Sequence, residues 1–275
     1  MLVMTDAPEQ LRGLVDVWWE AVNDFTALLE KVPADAWDTP TDLPGWDVHA
    51  AAAHTAHLEA LLAGQAHDEV EIGDAPHARG MMGQFTEQGV VARRERTPDE
   101  LINEIRSSTT SRHTQLLADP PTDPAAPAPG LFGAIGWNTL TLLRNRPLDV
   151  WMHEQDVRRA LDLPGGLESP AARHSADYLA ESLGYVLAKK LKAAPGTTVV
   201  LEVEGHAPLA ATVTDESRGQ LLEAVPADPT VTLRTDRETF VLLAGGRRLP
   251  APGQVEISGD QALGQQVVDH LAVTP

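Results

Sequence analysis

An α plus α+β architecture, a four-helix bundle with an extra helix followed by a small α+β domain, is what this sequence predicts. Three observations carry it. Apolar residues recur at spacings of three and four through the N-terminal two thirds, the signature of helices that bury one face. At Ala193 to Gly196 the period changes to the alternating or continuous apolar runs of strands. The length, 275 residues, suits two domains, placed here at residues 1–194 and 195–275.

The first helix is expected from Ala7 to Val32, with Leu11, Leu14, Val15, Trp18, Val22, Phe25, Leu28 and Leu29 on its apolar stripe, Asp6 as its cap and Pro33 just past its end. Trp18 falls on that stripe and reads as core; its neighbour Trp19 does not. The LPGW run ending at Trp46 reads as a turn that launches a second helix, capped by Asp47 and stopped by Gly64. Small residues, Ala50 to Ala53, let a neighbour approach this helix closely. Gln65 to Glu95 is polar and reads as a long loop or broken helix, of the kind that often serves as a lid. Thr97 and Glu100 form a capping box for a third helix running to about Ala118. A proline-rich connection, Ala118 to Gly130, leads to a fourth helix from Gly136 to Leu161, entered or kinked at Pro147. A fifth helix spans Pro170 to about Lys192. Strands follow at Val199 to Glu204, Ala210 to Val213, Val231 to Thr235 and the QVEIS segment, with helices at Asp236 to Ala244 and from Gly259 and Asp260 through Leu271.

Apolar content of 43% and charged content of 22% describe a globular protein rather than a disordered or fibrous one. The formal charge of −19 repels nucleic acid and anionic membranes and argues against both as partners. Cysteine is absent, so there is no disulfide, no thiolate ligand and no cysteine nucleophile; thiol chemistry would need an external thiol. No apolar run reaches about 18 residues, and the N-terminus lacks a signal-peptide plan, so a cytoplasmic location is expected.

The chemistry concentrates in RPLDVWMHEQDVRRAL. Asp149 and His153 stand four apart, so on a helix both side chains leave one face a turn apart, a two-ligand metal clamp in outline. His54, in the alanine-rich second helix, is the candidate third ligand; His57 and Glu59 are its rivals, and either histidine could instead hydrogen-bond in the core or at the surface. Two imidazoles and a carboxylate suit zinc or another divalent first-row ion, and three protein ligands leave a position open for chemistry. Asp156 could orient a ligand histidine. Arg144 and Arg146, and also Arg93 and Arg94, could meet an anionic substrate or cosubstrate, although salt-bridged or solvated arginines are the commoner case.

The runs PGWDVHAAAAH, ending at His54, and RPLDVWMHEQDVRRAL together resemble the two signatures of the mycothiol-dependent maleylpyruvate isomerase family, part of the DinB-like helical-bundle superfamily. The likeness covers most of the chain: TEQGVVARRERTPDEL resembles the family's lead-in to its third helix, and GHAPLAATV and VEISGDQAL resemble its small, sterol-carrier-like C-terminal domain. The resemblance implies a divalent metal, usually zinc, between a histidine of the second helix and a Glu-x-x-x-His pair of the fourth. His54, Asp149 and His153 match those positions, with aspartate in place of the commoner glutamate. It further implies mycothiol, the small thiol of actinobacteria, as cosubstrate, with its thiolate stabilised by the metal and either returned after cis/trans isomerisation or retained in an S-conjugate. The partners expected are a small-molecule thiol and an electrophilic substrate, and the assembly a monomer or homodimer. Two other classes remain open: a non-catalytic small-molecule or lipid-binding protein that uses the C-terminal domain, and a metal-dependent hydrolase with Glu59 or Asp156 as base.

Overall fold

The computed structural model describes residues 6–274. Met1 to Thr5, part of the N-terminal stretch read above as lacking a signal-peptide plan, and Pro275 lie outside them. The chain divides into two compact units, Met1–Ala171 and Ala172–Pro275, so the helix that begins at Pro170 groups almost wholly with the second unit rather than with the bundle. No helix among the described residues is long and apolar enough to cross a membrane.

The first unit contains α1 (Ala7–Leu29), α2 (Val48–Leu62), α3 (Gly80–Val91), α4 (Pro98–Ala118), the short α5 (Gly130–Ala134) and α6 (Thr139–Ala160). Helix α1 packs against α4 and α6, and α2 packs against the same two helices, which closes a four-helix bundle; α3 lies on α2. The expected caps are present. The Asp6 carboxylate accepts from the Glu9 N–H at 2.9 Å, that of Asp47 from the Ala50 N–H at 2.7 Å, and Thr97 and Glu100 close a reciprocal box at the start of α4. Helix α2 is buried on every side from Ala50 to Ala60, because its alanines let three other helices crowd it. Every polar side chain it carries inward must therefore find a partner or a ligand.

Helix α3 occupies the second half of the segment expected as loop or broken helix. Its glycines lower its helix propensity and obscure the pattern. One of them serves packing: a Cβ at Gly89 would lie 2.1 Å from the His57 ring. Helix α6 runs unbroken through the buried Pro147 and is capped by Asn138, whose side chain accepts from the Thr141 N–H at 2.8 Å.

In the second unit α7 (Pro170–Ala180) ends early, and α8 (Leu183–Tyr185) passes into a π-helical turn, Val186–Lys190, closed by Leu191 N–H donating to the Val186 carbonyl. The single helix expected to Lys192 is thus broken. Strands β1 (Thr198–Val203), β2 (Leu209–Val213), β3 (Gly219–Leu222), β4 (Val231–Thr235) and β5 (Val255–Gly259) form a sheet in the order β3-β2-β1-β4-β5, antiparallel except for the β1–β4 pair. Helix α9 (Arg237–Ala244) follows β4, and α10 (Gln261–His270) packs on β4 and β5. Strand β3 escaped the sequence reading because GQLL is a short, mostly exposed edge with no apolar alternation.

Candidate metal centre

Helix α2 supplies His54 and helix α6 supplies Asp149 and His153, the latter two one turn apart as their spacing predicts. His54 Nε2 approaches Asp149 Oδ2 at 3.4 Å, His153 Nε2 approaches Asp149 Oδ1 at 3.8 Å, and the two imidazole centroids are 4.7 Å apart. One donor atom from each residue lies within 4.8 Å of the others. An ion about 2.1 Å from each of its donors holds neighbouring donors about 3.4 Å apart in a tetrahedron, so these three residues could hold a metal ion with small adjustments. Among the described residues they are the one such cluster of histidine and acidic side chains.

His54 decides between a structural and a ligating role. It is 3% exposed, and neither of its ring nitrogens has a hydrogen-bond partner. Burial lowers its pKa, and the pull of the Asp149 carboxylate does not reverse that, so the ring is neutral with a lone pair to offer. His57, on the same helix, leaves one buried nitrogen without a partner but pairs the other with Arg93; His54 leaves both, beside a carboxylate and a second imidazole. That is what a ligand set needs.

The surrounding network orients the other two. Burial by itself would raise the pKa of Asp149, but the Arg146 guanidinium beside it holds the carboxyl well below its usual range. Arg146 donates to Asp149 Oδ2 at 2.9 Å. It also donates from Nε and Nη2 to Glu59 Oε1, at 3.1 and 2.7 Å. Glu59 takes further donors from Trp18 Nε1 and Arg112 Nη1, and Arg112 lies over the Trp18 ring. His153 Nδ1 meets Asp156 Oδ2 at 3.2 Å, which turns Nε2 toward Asp149; Asp156 is held by Arg159, which also binds Asp42 of the loop before α2.

These contacts place the remaining candidates. Arg146 is fully buried, its guanidinium shared between Glu59 and Asp149, so it braces the centre instead of presenting a cation to solvent. Arg144 is half-buried, Arg94 is exposed, and Arg93 is buried between Asp68 and Glu104. Glu59 and Asp156, the possible bases for hydrolysis, are fully buried and bound to arginines. Two residues went unnoticed in the sequence. Trp46 packs against both imidazoles, tilted to each, with centroids 4.9 Å from His54 and 5.6 Å from His153, and its indole N–H donates to Glu87 Oε2 at 2.9 Å. The PGW turn beside an alanine-rich helix was their only signal.

His57, the rival ligand, faces α3 instead, against Gly89, Phe85, His67 and Arg93. Burial first, and then the Arg93 charge, lowers its pKa to about 3. The folded state therefore holds it neutral while the unfolded chain protonates it, so stability is intact above about pH 6.5 and falls below it by about 1.4 kcal/mol per unit until about pH 3. Urea unfolding of the wild type is expected to lose about 2 kcal/mol more between pH 7 and pH 5 than that of His57→Gln. Parallel pH curves would contradict the assignment.

Residues 18–158 match the family model described as the mycothiol maleylpyruvate isomerase N-terminal domain. The chain belongs to the mycothiol maleylpyruvate isomerase family. Residues 173–266 match the model of that family's C-terminal domain. Two crystal structures, of a mycothiol-dependent maleylpyruvate isomerase and of a histidine-to-alanine variant, superpose with a TM-score of 0.57; each alignment covers 93% of this chain and 96% of the other, at 17% and 16% identity respectively. At that identity the likeness shows a shared fold. A comparison with curated proteins finds no match.

Proposed function

We propose that this member of the mycothiol maleylpyruvate isomerase family is a divalent-metal enzyme that uses mycothiol, either as a cis/trans isomerase of maleylpyruvate type or as a thiol S-transferase. The observation that carries the reading is the buried, neutral His54, with both ring nitrogens unsatisfied, facing Asp149 and His153. His54, Asp149 and His153 would hold the ion, and two imidazoles with one carboxylate suit zinc. When bound, the ion supplies Lewis acidity that lowers the pKa of a thiol toward neutrality.

The chain's own residues supply the rest. Arg146 keeps Asp149 ionised and aimed inward, Asp156 fixes the tautomer of His153, and Trp46 packs against both imidazoles. With no cysteine in the sequence, the nucleophile has to come from a cosubstrate. Addition of an external thiolate to the activated double bond of a cis substrate leaves a single bond that can rotate, and elimination of the same thiolate then gives the trans product. A substrate without a route to elimination would keep the sulfur as a conjugate.

Purified protein loaded with zinc is expected to turn over maleylpyruvate, to its trans isomer, or another electrophile, to a mycothiol conjugate, only when mycothiol is present, and to stop when a chelator strips the ion. Turnover without thiol, or undiminished turnover after chelation, would contradict the proposal; mass spectrometry of products from other electrophiles separates isomerase from transferase.

A further inference from the structure

Trp46 follows Gly45 in a turn whose backbone is fixed independently of its side chain. The Trp46 carbonyl accepts from both the Thr41 N–H, at 3.0 Å, and the Thr41 hydroxyl, at 2.9 Å, and the Trp46 N–H donates to the Leu43 carbonyl. Arg159 anchors the same loop at Asp42. What the turn leaves open is the side-chain torsion of the indole. That torsion is taken up by α3: Glu87, 4% exposed, accepts from Trp46 Nε1 at 2.9 Å and meets His77 Nε2 at 3.0 Å on the same oxygen. His77 in turn lies flat on Gly45, where a Cβ would come within 2.3 Å of its ring. Gly45 also has a φ of +83°, so a side chain is excluded there on two grounds.

We infer that Glu87 is a positioning residue for the metal centre, acting through Trp46: it locks the indole against the imidazoles of His54 and His153 and so fixes both imidazole planes for the ion. The inference rests on the metal reading above. The indole is half-buried, and the His54 ring, 3% exposed with no hydrogen bond to hold it, is positioned by packing, against Trp46 on one side and His153 on another. Freeing the indole would let that ring sample other rotamers and exchange with water. An ion would then have to order it on binding, which lowers affinity.

The test is zinc affinity, read by competition with a chromophoric chelator, together with quenching of tryptophan fluorescence by cobalt(II). Removing outer-shell support typically weakens metal binding 10–100-fold, so Glu87→Ala is expected to bind zinc about tenfold more weakly, and Glu87→Gln, which keeps a carbonyl for the indole N–H, to stay within about twofold of wild type. Cobalt quenching should be strong in wild type and Glu87→Gln and reduced in Glu87→Ala. Rescue by glutamine separates positioning of the indole from a general loss of packing. Should Glu87→Ala lose its fold, Trp46→Phe carries the same test, since it retains a ring but has no N–H for Glu87; weaker zinc binding is expected and unchanged binding would overturn the inference. A wild type that takes up no zinc would overturn the metal reading and this inference with it. Wild type and Glu87→Ala binding zinc and cobalt alike, or glutamine failing as badly as alanine, would overturn this inference alone.

Discussion

Replacing Glu59 with alanine is expected to lower the unfolding free energy by about 3–5 kcal/mol, the cost of leaving buried charge without its partner. Two arginines converge on this one carboxylate, and all three side chains are at most 5% exposed. Burial lowers the pKa of Arg112 to about 10, with Glu59 opposing that shift and Arg146 adding to it. Without Glu59 the buried Arg112 guanidinium loses its carboxylate and faces that of Arg146, which keeps only Asp149. Denaturant unfolding of the single variant checks this, and a loss below about 1 kcal/mol would contradict it. Replacing Glu59, Arg112 and Arg146 together by leucine, leucine and methionine is expected to restore most of the stability, because apolar side chains of similar volume can fill a dry site without the desolvation cost. That triple variant would still bind metal poorly, since Asp149 would have lost its Arg146 donor. Stability and metal binding should part company there.

The same separation is sharper at His54. Exchanging it for leucine is expected to abolish metal binding, an effect larger than the 10–100-fold of outer-shell changes, while raising the stability of the metal-free protein by about 1–2 kcal/mol. The reason is that both nitrogens of His54 are buried without a well-formed hydrogen bond, the nearest approach being Nε2 at 3.4 Å from Asp149 Oδ2, so leucine removes a polar group whose desolvation is poorly repaid. A histidine retained for core packing would behave in the opposite way. Thermal unfolding of the metal-free protein reads the first effect and chelator competition the second; a destabilised variant that still binds zinc would contradict the role assigned to His54.

What was legible in the sequence was whatever rests on short spacing. The caps at Asp6, Asp47 and Thr97, the stop at Gly64, and the placement of Asp149 and His153 on one face follow from contacts spanning three or four residues, and the structure shows each. Bringing His54 to that face depends on α2 packing against α6, which periodicity does not encode; the family resemblance selected it over His57. The role of Arg146 was hidden for the same reason. Its partner Glu59 is 87 residues away, so a buried brace looked like a cation for substrate. Trp46 and Glu87, 41 residues apart, left no local trace of their hydrogen bond. Helix α3 and strand β3 were obscured by composition: glycines placed for close packing in one, an exposed polar edge in the other. Just past the break after α7, β3 comes so close to α8 that a Cβ at Gly219 would sit 1.9 Å from the Gly184 carbonyl oxygen, a constraint visible only in three dimensions.

The most direct measurement is elemental analysis of protein purified without a polyhistidine tag, with His54→Ala and His153→Ala prepared alongside. About one equivalent of zinc or a similar divalent ion in the wild type, absent from both variants, is the expected result. A wild type that carries no such ion and takes up none on incubation with zinc would contradict a metal centre at His54, Asp149 and His153, and with it the proposed chemistry.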